Sequence, residues 1–540
     1  MTAQYNRKTV GLNLKALGYL RDNLHFDPNG GNLAAGSPMT LDPNSSFQGK
    51  SLLVVWFWIF GVTASTLESK GFQNTGVAQS VSGSWGIEPL VYDISRSSKQ
   101  PNQALGAPSC SASACHGGPA AGVSSTEAVR GSEYPLWLES DPHARSWRTL
   151  NSERSVDILK RLNILVNGAI VNKPAYQNCL ACHNTTNELQ PDGISPSLAE
   201  GVGCEACHGP SELWRDSHYQ GSFSVSDSIS RLGLVNTQSE FTRAKACTLC
   251  HVGGPDRDMN HDIIAAGHPA LYFDYGTYLK AYPKHWRENT TDPNQQSLQR
   301  WLIGQVTKAD SELELLNSRI QKTHPDSTWP EFSNYQCTSC HQNITGKTLA
   351  QLQEQSQIAR NTRLGQATVR LWNLEGLQTA DSVLGFDQQA TNRLIEAIEQ
   401  AGSRGINLDA NPKYLGELIK NKRAELNQAA GTNSLTGTQQ QFARWSLEQQ
   451  RSLVRLKWQS AFETLNWEQS ALAYLAHQSC LPASGDGGSL ERMRTRLIFP
   501  ESTQSPGFLF PKGPSERQAE LQLNSWKSDG SQILDSLGPQ

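Results

Sequence analysis

The sequence predicts a mainly α-helical protein. Short helices and long loops pack around something other than side chains, and a helical, bundle-like region follows. Three observations carry this expectation. Ten of the eleven cysteines form five close pairs between residues 110 and 340, each followed directly by histidine. Residues 293–321 repeat apolar side chains at helical spacing. Beyond residue 345 the chain turns rich in Gln, Leu, Ala, Arg and Glu. Only 37% of the 540 residues are hydrophobic, a modest share for a chain long enough for two or more domains.

The N-terminal elements come first. Residues 51–64, SLLVVWFWIFGVTA, form an apolar run preceded by Lys50. A membrane span needs about 20 such residues. This run has the size of a signal-peptide core, and Val62-Thr63-Ala64 supplies small residues at the cleavage position. Met39 stands upstream, so residues 39–64 read as a signal peptide and 1–38 as a mis-called extension. An uncleaved 51–64 anchor is the alternative, and membrane association follows only in that case. Either way the rest of the chain is expected outside the cytoplasm, in the periplasm or otherwise exported. Residues 65–104 are Ser/Gly-rich and read as a linker. The formal net charge is −3 with both signs mixed, which gives no basic face for nucleic acid.

Residues 105–345 hold the chemistry. The runs CLACH (179–183), CEACH (204–208), CTLCH (247–251) and CTSCH (337–341) repeat one pattern, and CSASACH (110–116) is a longer version. Histidine is 13 of 540 residues, so its place after all five pairs has chance odds of roughly 10⁻⁸ against a pattern that reads as c-type haem attachment. Two thiols three residues apart can form thioethers to the two vinyl groups of one porphyrin. The next residue then offers an imidazole to the iron. Cysteines 110, 115, 179, 182, 204, 207, 247, 250, 337 and 340 are therefore the expected attachment points. His116, His183, His208, His251 and His341 are the expected proximal ligands. A four-cysteine zinc site leaves the five histidines unexplained. Structural disulfides rarely use this spacing, and the usual iron–sulfur cysteine runs are missing. The expected cofactor is haem c, five per chain, and about fifty residues per haem makes the porphyrins themselves the core.

The sixth ligand decides what each iron can do. Past residue 64 only Met259 and Met493 remain, so His/Met ligation cannot be general, and bis-histidine ligation with low potentials is expected. Local context selects His143 in SDPHARSW, His218 in LWRDSHY, His268 in AAGHPALYFD, His324 in THPDSTWPEF and His261 in MNHDII. His285 in YPKHW and His477 in LAHQSC read instead as hydrogen-bonded surface or propionate partners.

On SCSASACHGG, SDPHARSW, CLACHN, GVGCEACHGP followed by His218, and CTLCHVGG followed by AAGHPAL, the chain resembles the tetrahaem cytochrome c family of the hydroxylamine oxidation pathway. The resemblance covers about residues 105–345 and departs from the family in the longer first loop, the fifth motif and the C-terminal region. It implies that His218 reaches back to the first haem. It also implies that the haems at 179–183 and 204–208 form a tightly stacked pair, and that one haem can have an open sixth position. No C-x-x-C-K motif appears, unlike the pentahaem nitrite reductases.

In the remaining chain, segments 347–375, 388–401, 412–429 and 437–479 read as helices of a domain over 346–480. Trp445, Leu453, Leu456, Trp458, Phe462 and Leu465 form an apolar stripe of the bundle-core kind. Cys480 reads as a buried free thiol. Residues 481–540 read as an extended segment ending in a short helix near 515–525. The expected function is electron transfer, with other redox proteins or a membrane respiratory complex as partners, or a place as a subunit in a larger complex. The alternative is a haem enzyme acting on a small nitrogen or sulfur compound at one five-coordinate iron.

Overall fold

The computed structural model describes residues 102–118, 131–185, 200–288, 292–321, 329–336, 369–403, 412–431, 445–464, 467–481, 488–497 and 523–538, all within one compact unit, Ser84–Gln540. The described chain is mostly helical. Its first half carries α1 (Glu133–Ser140), α2 (Ser146–Thr149), α3 (Glu153–Arg161), α4 (Lys173–His183), α5 (Glu205–His208), α6 (Val225–Arg231), α7 (Glu240–His251), α8 (His261–Ala265) and α9 (Tyr275–Ala281). The long α10 (Pro293–Gln321) follows. Then come α11 (Glu375–Leu384), α12 (Gln388–Ser403), α13 (Pro412–Gly431), α14 (Leu447–Thr464), α15 (Trp467–Cys480), α16 (Ser489–Arg496) and α17 (Leu523–Ser536). Between α3 and α4, β1 (Leu165–Val166) and β2 (Ala169–Ile170) pair antiparallel. Asn167 and Gly168 turn that hairpin with positive φ, the backbone such a two-residue turn needs.

Local chemistry sets the helix starts. Ser152, Asn172, Ser224, Ser239, Asn260 and Asp274 each accept a backbone N–H three residues on, satisfying a donor the first turn would leave open. Two of these caps, Asn172 and Ser239, stand ahead of the motif-bearing helices α4 and α7, so the cap sets where the cysteines fall.

The spacing over 293–321 predicts one helix, and α10 has those bounds. It is buried nearly all round, as expected for a central helix, and packs on α7, α9, α11, α13 and α15. One core gathers Phe241, Phe273, Leu313, Leu316, Leu377, Ile398 and Ile419 on one side of it. A second gathers Trp301, Trp372, Val454, Trp458 and Tyr474. Helices from both sides of residue 345 therefore share α10 as their common wall.

Two predicted helices come out differently. Residues 437–479 contain α14 and α15, separate helices that pack against each other, because the apolar stripe gains a partner by folding back. The described end of the 347–375 segment is not helical. Val369 bridges Tyr335, the Arg370 N–H donates to Asn334 O and Trp372 Nε1 donates to Phe273 O at 3.1 Å. The rest of that segment, the 39–64 signal peptide and residues 515–522 lie outside the described residues. Residues 481–540, expected to be extended with a short helix near 515–525, instead carry α16 and α17, which pack on each other. Among the described residues no helix is long and apolar enough to cross a membrane.

Buried charges tie α10 to its neighbours. Lys245 Nζ of α7 lies 2.5 Å from Asp310 Oδ2, and Arg423 Nε of α13 lies 2.8 Å from Asp310 Oδ1. Burial pushes the Asp310 carboxyl up, but Lys245 and Arg423 outweigh it and hold the group below its ordinary value. A lowered folded-state pKa contributes stability above the unfolded value, and that contribution is lost as pH falls through the folded value.

Two outcomes follow. In Asp310→Asn, Lys245 is left buried beside a neutral amide, a loss of about 3–5 kcal/mol at neutral pH. The gap between variant and wild type in urea midpoint should shrink below about pH 4, and a gap independent of pH contradicts the ion-pair account. At Gly376, an added Cβ would sit 2.6 Å from Gln305 O on α10. Gly376→Val should therefore cost about 1–3 kcal/mol by overpacking, read as a lowered denaturant midpoint.

Candidate functional site

Four of the five cysteine–histidine motifs are described, and three sit on helices. The run 179–183 closes α4 and 247–251 closes α7, so each histidine stands at a helix C-terminus. The run 204–208 is the single turn α5 with Cys204 at its N-cap. Cys110 ends a 3-10 turn, Ala107–Cys110. At 3.6 residues per turn, cysteines three apart share a face and the following histidine continues round it.

Each of the four described motif histidines faces a second histidine from elsewhere in the chain. His116 lies 6.0 Å from His218, ring centre to ring centre, and nearly parallel to it at 12°. His183 lies 6.4 Å from His268 at 84°. His208 lies 6.1 Å from His285 at 57°, and His251 lies 6.0 Å from His143 at 80°. Two imidazole nitrogens on opposite sides of one metal ion, with bonds of about 2 Å, put their ring centres about 6.2 Å apart. The four gaps match that span, and the tilts vary as free rotation about a common axis allows.

Short contacts aim the rings. His218 Nδ1 meets Arg215 O at 2.5 Å, His268 Nδ1 meets Pro269 O at 2.9 Å, and His183 Nδ1 meets Ser146 O at 3.0 Å. His208 Nδ1 meets Thr237 Oγ1 at 3.3 Å. Carboxylates serve two others: His116 Nδ1 lies 3.1 Å from Glu133 Oε2, and His143 Nδ1 lies 2.9 Å from Asp141 Oδ1. Tying up Nδ1 leaves Nε2 as the metal-facing nitrogen. Close backbone approach serves the same end. Gly201 has φ 68°, and a Cβ there would lie 2.5 Å from His143 O. The stretch 201–203 also receives Trp137 Nε1 on Val202 O at 3.0 Å. Together these lock the His143 loop against the third motif.

The motifs interlock. Cys250 Sγ of the fourth lies 3.9 Å from Ala181 O of the second, and Glu205 of the third reaches the loop before the first. These contacts tie the first motif to the third and the second to the fourth. Glu205 explains the first coupling. Its buried carboxylate accepts the N–H groups of Leu105, Gly106 and Ser211 at 2.9, 2.7 and 2.8 Å. A residue inside the third motif thus carries the loop leading into the first.

Burial pushes His208 down to about 4 and His251 to about 3, and lowers His183, His268 and His285. Each stays neutral near pH 7 with a lone pair available. Burial also pulls on His143, but Asp141 outweighs it and raises that group.

Of the sequence-selected distal candidates, His143, His218 and His268 are each brought opposite a motif histidine. His218 faces the first motif across the chain, as the resemblance implies. His261 lies elsewhere: its N–H donates to Glu331 Oε1 at 2.8 Å and its ring lies 5.7 Å from Phe332. Cys337, Cys340, His341 and His324 lie outside the described residues. His285 is the correction, since the sequence reading assigned it to a surface or propionate contact. Tyr282 and Trp286 were the available signal, two aromatic rings that stack at 5.7 Å and pack around it. His477 keeps a structural place, accepting Trp458 Nε1 at 3.2 Å, and Cys480 is buried as expected.

Two thiols, a motif imidazole and a facing imidazole at metal-spanning distance fit haem c at each described motif. Residues 109–209 match the family described as cytochrome c554 and c-prime. That span holds the first three motifs and His143, and stops short of the fourth motif, His218, His268 and His285. No curated protein and no solved structure matches the chain. The family match supports a c-type cytochrome, which implies covalently bound haem c and electron transfer.

Proposed function

We propose that this chain is an exported multihaem electron carrier whose haem irons are each closed by two histidines. The observation that carries the reading is the set of four imidazole pairs with ring centres 6.0 to 6.4 Å apart. In it, Cys110, Cys115 and His116 hold a haem with His218, and Cys179, Cys182 and His183 hold one with His268. Cys204, Cys207 and His208 hold one with His285, and Cys247, Cys250 and His251 hold one with His143. A fifth set uses Cys337, Cys340 and His341, with His261 or His324 as its partner. Porphyrin iron held this way supplies one-electron chemistry at low potential, since histidine rather than methionine occupies the sixth position.

The chain's own residues do the rest. The porphyrins serve as the core of the first half, which has little apolar side-chain volume of its own. The carbonyls, hydroxyl and carboxylates on Nδ1 hold six of the eight paired rings, those of His116, His143, His183, His208, His218 and His268, and limit reorganisation as the iron changes charge. Contacts of Glu205 with the loop before Cys110, and of Cys250 with Ala181 O, keep the sites close together: first beside third, and second beside fourth. Export follows from the covalent chemistry, because haem attachment in bacteria takes place outside the cytoplasmic membrane, and 51–64 supplies a signal segment. Other redox proteins or a membrane respiratory complex are the partners.

The enzyme alternative requires an iron with an open sixth position. Among the described motifs each proximal histidine has a facing histidine, which weighs against it and confines it to the fifth motif.

A haemochrome count and EPR spectrum on the exported protein test this reading, with five haems expected and all low spin. His285→Ala should turn one haem equivalent high spin while His477→Ala leaves the spectrum unchanged. An all-low-spin His285→Ala protein with its haem count intact removes His285 from the ligand set.

A further inference from the structure

The four paired sites differ most in what their Nδ1 atoms touch. At the second site both rings contact backbone carbonyls, and at the third His208 meets a hydroxyl. At the first, His116 meets Glu133, whose side chain is 22% exposed. Only the fourth, His251 with His143, has a buried carboxylate: the Asp141 side chain is 3% exposed and its Oδ1 lies 2.9 Å from His143 Nδ1.

The Asp141 Oδ1 accepts the His143 backbone N–H at 2.9 Å as well as the ring N–H. The Tyr282 ring lies 6.0 Å from His143 and 6.3 Å from His285, so the group sits where the third and fourth sites meet. The sequence accounts for its position: in SDPH, Asp141 caps a 3-10 turn with Pro142 behind it.

A carboxylate accepting Nδ1–H draws that proton away from the ring and makes Nε2 a stronger donor. A stronger donor stabilises the ferric over the ferrous state. Away from water the negative charge acts at low effective dielectric and adds to the effect. Glu133 can do the same to the first site, but solvent screens it. Resting on the bis-histidine reading above, we propose that Asp141 is a tuning residue which gives the His251–His143 site the lowest reduction potential of the four described sites.

The competing role is a plain helix cap, and Asp141→Asn separates the two. Asparagine caps as well as aspartate and can still accept from His143, so it removes the charge and leaves the geometry. The measurement is a spectroelectrochemical titration of the full haem-loaded chain, with EPR alongside. The most negative step should move positive by about tenfold in the ferrous-to-ferric ratio, about 59 mV for one electron. Haem count, low-spin signals and the other steps should hold. Potentials that superpose on the wild type with all irons low spin overturn the inference and leave Asp141 a cap. If the variant does not accumulate, Asp141→Ser still caps the turn and removes the same charge. The same step should again move positive, and no movement overturns the inference. High-spin iron in the unmodified protein would remove the ligation reading and this inference with it.

Discussion

Two imidazole rings pointing at each other across about 6 Å make a poor contact by themselves. On the reading proposed above, such a gap, repeated four times among the described residues, is the space for an ion that binds both rings. Much of the first half of the chain can be understood as the means of holding these gaps open. The capped helix starts set the motif histidines, and the Nδ1 contacts set the rotation of the rings. Gly201 lets the backbone come near enough to bring His143 across.

The partners are never sequence neighbours. His116 is answered by a residue from beyond the third motif, and His251 by one from ahead of the second. This cross-bracing makes each site depend on segments that also build another site. Glu205 shows it in one side chain, since it sits inside the third motif and carries the backbone of the first. Removing one site should loosen its neighbours, which is how a region with few apolar residues can form a single cooperative unit.

The long α10 does the corresponding work for the rest of the molecule. Its buried face is too broad for one partner, so α7 and α9 cover one part and α11, α13 and α15 the remainder. Paired buried charges such as Lys245 with Asp310 are weak sources of net stability. They set which helix lies against which, because an offset would leave a charge buried alone.

What could be read from sequence and what could not divides along a physical line. The cysteine–histidine motifs, the bounds of α10 and the helical character after residue 345 were legible because they depend on neighbours within a turn or two. A thioether clamp and a helical stripe are short-range patterns. His143, His218 and His268 could be selected from flanking Asp-Pro, Trp and Gly-Pro residues that stiffen the backbone near them. His285 could not, since Pro283 and Trp286 describe a buried turn equally well and its meaning comes from His208, far back in the chain. The same holds for the fold-back of α14 on α15, and for the first motif pairing with the third. By itself the sequence determined where the cysteine–histidine motifs lie and offered candidate histidines to face them. Only the tertiary structure decided which two histidines face each other, because that choice depends on contacts between segments tens of residues apart, and spacing along a chain carries no record of them.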